Sequence, residues 1–236
     1  MMMAEKQEAS VWQLQLTGEI LLFNLLGKIL QEVPARAWLQ PLVDDEVFTE
    51  SPFAETQPDV AAGLTLLEKW CDTFRQAGQA DTVLKEVQVD YTNLFTGMRK
   101  LPVSPWESVY FSDERLVFQE QTMDVRAWYK QYGLEVINLK REPDDHVGLE
   151  LIFVGHLARL GLAALEAGND LEFEQLLAAQ RDFLAKHLFR WVPLWCKQIL
   201  EYANTDFYRG LALLIRGALI ELSQMLAMPV PTGLQS

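Results

Sequence analysis

The stretch REPDDHVGLELIFVGHLARL, Arg141 to Leu160, sets three carboxylates and a histidine against the start of an apolar run. Val147, Leu149, Leu151, Ile152, Phe153, Val154 and Leu157 occur almost all the way round a helical wheel, which predicts a central helix buried on most sides. Proline fits the first helical turn and acidic groups there complement the helix dipole, so Pro143 is expected to open it. Glu150, His156 and Arg159 interrupt the run and argue against a membrane span.

Outward from this helix the apolar spacing is helical on both sides. Leu16, Ile20, Phe23, Leu26 and Leu30 predict a first helix over 11–33, stopped by Pro34. A short one is expected from Pro34 to near Pro41, then an acidic loop over 44–57, then a helix over 58–76 with Gly78 beyond its end. Asp81 is placed to cap a helix whose face carries Val83, Val87, Tyr91, Leu94 and Phe95, with Gly97 to end it. Further helices are expected over 121–132, with Gly133 as stop, and over 170–188, 193–202 and 206–228. No strand alternation persists. The fold class is all-α, a helical bundle of about ten helices in two halves.

Between the halves the period breaks. MRKLPVSPWESVYFSDERLVF has Pro102 and Pro105 flanking a short segment crowded with aromatic residues. The division is an N-terminal half 1–97, a proline-rich hinge and aromatic segment 98–113 and a C-terminal half 114–236, taken together as one integrated globular unit.

Half of the 236 residues are apolar, enough for a substantial core. The net charge of −13 is spread along the chain with no basic face, which speaks against nucleic acid as a partner. Cys71 and Cys196 lie far apart and outside any CxxC, which fits a reducing compartment and no disulfide framework. The acidic N-terminus does not read as an export signal, and with no span expected the protein is read as cytoplasmic with no integral membrane segment.

A metal-dependent hydrolase built on Glu142, Asp145, His146 and Glu150 is one functional reading, since His146 and Glu150 lie one turn apart. No HExxH or second histidine at ligand spacing supports it, and helix capping explains the same residues without chemistry. Nucleophile and phosphate-loop signatures are absent, so no catalytic residue and no resident cofactor are expected. A helical scaffold is another reading. An apolar, aromatic groove with acidic groups at its rim would instead suit a peptide both hydrophobic and basic.

Three elements in order, YTNLFTG at 91–97, LPVSPWESVYFSD at 101–113 and EPDDHVGLEL at 142–151, resemble the TorD/DmsD/NarJ family of redox-enzyme maturation chaperones. HLFRWVPLW at 187–195 and DFYRGLALL at 206–214 are similar to its C-terminal pattern. The resemblance implies an all-helical cytoplasmic chaperone that binds the twin-arginine leader of a molybdoenzyme catalytic subunit, or its apo form, and delays export until the molybdopterin cofactor is inserted. It implies peptide contacts at Tyr91, Leu94, Phe95, Pro105, Trp106, Asp145 and His146, with Glu142 beside them, and Asp145 pairing with a leader arginine. Some members exchange halves between chains, which the hinge would allow here as a homodimer. Tyr91 stands where tryptophan is common, Met98 where many members have proline, and Glu107 where the DmsD-type pattern has glycine.

Overall fold

The computed structural model describes residues 2–96, 101–135 and 143–234. Among them the chain is all-α: α1 (Met2–Gln31), α2 (Arg36–Asp44), α3 (Pro58–Arg75), α4 (Ala80–Tyr91) extended by a wide π-type turn (Thr92–Thr96), α5 (Ser108–Phe111), α6 (Glu120–Gln131), α7 (Val147–Glu166), α8 (Asp170–Lys186), α9 (Leu188–Tyr202) and α10 (Asp206–Met225). The ten α-helices agree with the expected class, and no strand occurs among the described residues.

Several helix ends differ from the sequence reading. Pro143 does not open α7. The helix begins at Val147, and His146 caps it, its Nδ1 accepting the Gly148 N–H at 3.0 Å. Two residues, Asp144 and Asp145, thus separate the proline from the cap. Asp81 is not a cap either, since Gln79 holds that position and Asp81 lies in the first turn, paired with Arg36 at 2.7 Å. Pro41 and Pro193 fall inside α2 and α9 instead of marking their ends. Inside a helix proline removes one backbone hydrogen bond and its ring crowds the carbonyl four residues back, so each of these helices carries a local cost where the residue type alone would predict an end. Gly97 and Glu142 lie outside the described residues.

The helices form two compact units, Met1–Gln31 with Trp106–Arg190, and Glu32–Pro105 with Trp191–Ser236. The chain passes between them three times, once within the proline and aromatic segment at 105–106.

The first unit is built on α1 crossing α7, with α8 against α7. The axes approach so closely because glycines face each other: a Cβ on Gly27 would stand 2.5 Å from the Gly148 carbonyl oxygen, and one on Gly148 equally close to that of Gly27. By length and composition α7 could cross a membrane, yet Val147, Leu151, Phe153, Val154 and Leu157 are buried in this unit's core. Its aromatic filling is Tyr129, Phe153 and Phe183, with Phe153 and Phe183 edge to face at 4.6 Å.

The second unit repeats the device with α3 and α10. A Cβ on Gly63 would meet the Gly210 carbonyl oxygen at 2.7 Å, and one on Gly210 the Gly63 oxygen at 2.9 Å. Arg216 clasps Asp59 through two bonds of 2.6 and 2.7 Å, tying the start of α3 to α10.

Candidate peptide-binding site

In the first unit, Trp106, Asp145 and His146 come together. A backbone bridge joins Trp106 to His146, and their rings stand edge to face with centroids 6.1 Å apart. Asp145 is fully buried. Its Oδ2 accepts the Ser108 N–H and its Oδ1 the Thr122 hydroxyl, each at 2.7 Å, while its carbonyl accepts the Glu107 N–H at 2.9 Å. The carboxylate therefore fastens the start of α5, just after Trp106, to α6. Burial pushes the His146 imidazole down to about 4, so it is neutral at pH 7 and free to accept the Gly148 N–H.

Beside them the Arg126 guanidinium holds the buried Asp144 carboxylate at 2.5 and 3.4 Å, and the Tyr129 hydroxyl donates to the Asp144 carbonyl. Glu107 is fully buried and accepts from His187 Nδ1 at 2.8 Å. Burial raises the Glu107 carboxyl, and the bond to His187 pulls it back. His187 Nε2 lies 3.3 Å from Asp124 Oδ2, off hydrogen-bond alignment, so one buried imidazole stands between two carboxylates.

In the second unit, Tyr91, Leu94 and Phe95 form part of an aromatic cluster. Tyr91 ends α4, and the wide turn after it carries Leu94 and Phe95 inward. Phe95 meets Tyr91 at 5.3 Å, Tyr208 at 5.6 Å and Trp195, nearly parallel, at 6.3 Å. Pro105 is buried in this unit. One residue before Tyr91, the buried Asp90 accepts the backbone N–H groups of Asn204 and Thr205 and the Thr205 hydroxyl, and so caps α10 from outside. Outside Asp90 is a groove of about 660 Å³ lined by Lys85, Val89, Asn93 and Asn204.

Of the expected contact residues, Trp106 keeps intermediate exposure, whereas Tyr91, Leu94, Phe95, Pro105, Asp145 and His146 are buried. The residues that the sequence reading missed are those that hold these in place: Ser108, Thr122, Arg126, Glu107, His187 and Asp90. One signal was present, because Thr122, Arg126 and Tyr129 follow helical spacing and all reach Asp144 or Asp145. Among the described residues no group of three His, Cys, Asp or Glu side chains is placed to hold a metal ion.

The sequence model of the family described as nitrate reductase delta subunit matches residues 54–197. The chain belongs to this family, the TorD/DmsD/NarJ group. It is similar to the Tat proofreading chaperone DmsD of Salmonella typhi, 33% identical over 59% of this chain and 62% of that protein. It is also similar to the chaperone protein TorD of Vibrio vulnificus, 27% identical over 76% of this chain and 75% of the relative. The match thus spans 62% of the length of the Salmonella relative, short of the whole protein.

Proposed function

We propose that the protein is a cytoplasmic maturation chaperone and not an enzyme, that its client is a molybdoenzyme catalytic subunit, and that it binds the client's twin-arginine leader, its apo form or both. Binding delays export until the molybdopterin cofactor is inserted in the client. The observation that carries this reading is the family match over 54–197, which contains both residue sets, together with relatives named as chaperones.

In this reading Tyr91, Leu94, Phe95, Pro105 and Trp106 supply apolar and aromatic surface for the leader's hydrophobic stretch. Asp145 and His146 act through position, since their polar atoms hold the Trp106 segment. Glu142 belongs to the same proposal as a charged partner for a leader arginine. The net charge of −13 favours a basic peptide.

Isothermal titration calorimetry with synthetic leaders from the host's molybdoenzymes tests the reading. A leader with paired arginines binds, and the same peptide with paired lysines binds more weakly, because lysine lacks the planar fork that grips a carboxylate in two places. Absence of heat with every leader would sink the proposal.

A further inference from the structure

The aromatic cluster of the second unit holds buried donors with no hydrogen-bond partner among the described residues. Its rings run Trp70 to Phe207 at 4.7 Å, Phe207 to Tyr208 at 5.2 Å, Tyr208 to Phe95 at 5.6 Å and Phe95 to Trp195 at 6.3 Å. Trp195 and Tyr208 are each 1% exposed, and neither Trp195 Nε1 nor the Tyr208 hydroxyl has a hydrogen-bond partner among the described residues. Trp70 Nε1, at the far end of the series, also has no partner among the described residues.

A buried polar group without a partner costs about 1–3 kcal/mol, and phenylalanine at either position would avoid it. The indole N–H only donates, and a tyrosine hydroxyl donates readily, so the groups that would satisfy this pair are acceptors. In an apolar peptide the acceptors are main-chain carbonyls, which lose their water when the peptide enters an aromatic site. Phe95 lies against both rings, and it sits on the wide turn that ends α4. Single π-type turns at the end of or inside an α-helix are rare and occur frequently at functional sites.

We propose that Trp195 Nε1–H and the Tyr208 hydroxyl donate to main-chain carbonyls of the bound leader's apolar stretch, and that they are reached when the 92–96 turn carries Phe95 off them. This rests on the leader-binding reading and adds two contact residues to it. The buried state of Phe95 is then the closed form of the site, and in the open form the peptide lies between the Phe95 ring and the two donors.

The test is Tyr208→Phe, which removes only the hydroxyl, and Trp195→Phe as a second variant, each measured for melting temperature and for calorimetric affinity toward a synthetic paired-arginine leader. The expected result for Tyr208→Phe is a melting temperature equal to or above that of the unchanged protein with leader affinity weakened about 5- to 10-fold, the worth of one hydrogen bond. Trp195→Phe weakens binding by at least as much. If the unchanged protein binds the leader and Tyr208→Phe binds it equally well, the inference is overturned while the chaperone reading stands. A melting temperature several degrees lower in Tyr208→Phe overturns it too, because the hydroxyl would then be bonded in the free protein. If the unchanged protein binds no leader, the chaperone reading falls and this inference with it.

Discussion

Asp145 Oδ2 accepts the backbone N–H of Ser108 at 2.7 Å across a separation of 37 residues, and the opposite oxygen accepts from Thr122. The bond joins the segment before α7 to the segment that presents Trp106, so two sequence motifs are parts of one polar lock. A carboxylate with both oxygens engaged and no exposed surface holds a position instead of meeting a ligand's charge. The ring that this lock positions is Trp106, two residues upstream of Ser108.

Asp145→Ala is expected to destabilise the protein by about 2–4 kcal/mol, because two buried donors lose their acceptor. Asp145→Asn keeps the volume but sets an amide N–H₂ against one donor, and costs about 1–2 kcal/mol. Urea unfolding measures both. Thr122→Val, which removes one partner and leaves the Ser108 bond, falls between the unchanged protein and Asp145→Ala.

The two glycine contacts make a sharper structural prediction. Alanine at Gly27 or Gly148 in the first unit, or at Gly63 or Gly210 in the second, places a methyl group 2.5–2.9 Å from backbone oxygen or a packed side chain. Backbone in a helix pair shifts only by moving the whole helix, so each substitution costs about 1–3 kcal/mol or more. Alanine at Gly78 meets no atom within 4 Å but sits at a φ of +78°, and costs about 1 kcal/mol through backbone strain alone. Thermal melts of the five variants rank these effects.

The helices were legible because apolar spacing survives in a sequence whatever the helices pack against. Their ends were not. Pro143 and Asp81 have the residue types that start helices, but His146 and Gln79 hold the cap positions, and only the path of the chain decides between neighbours. The site was legible as motifs and illegible as roles. Asp145 next to His146 looks like a charged surface pair; its burial depends on Ser108, 37 residues earlier in the chain, and Thr122, 23 earlier. Likewise Glu107 and His187 are 80 residues apart, and neither motif alone announces the other.

A buried carboxyl on α1 gives the pH prediction. Glu19 is fully buried, and burial pushes its pKa up to about 8 against the partial relief of a 2.6 Å bond from Gln180. The folded state holds a proton here that the unfolded chain releases at ordinary carboxylate values. The stability that Glu19 contributes is therefore complete below the unfolded pKa and lost as pH rises toward 8. Glu19→Gln removes that slope. The variant matches the unchanged protein near pH 4.5 and exceeds it by up to about 4 kcal/mol at pH 8, in urea unfolding followed across that range.

Trp106 separates a groove residue from a core one. Among the described residues it is the expected contact residue that keeps intermediate exposure, and its ring meets His146 at the edge of the Asp145 lock. Trp106→Ala removes ring surface that is only partly packed, so its cost in stability is expected to be below the roughly 3–5 kcal/mol of a fully buried tryptophan. Leader affinity, if the ring lies against the peptide, falls by about 10-fold or more, the range of an aromatic contact at the centre of an interface. Trp191→Ala, at a position 1% exposed, is the comparison: it lowers the melting temperature far more. Calorimetry and melts on the two variants give opposite rankings if Trp106 binds peptide. The same ranking in both measurements would place Trp106 in the core and leave the leader site without its exposed aromatic residue.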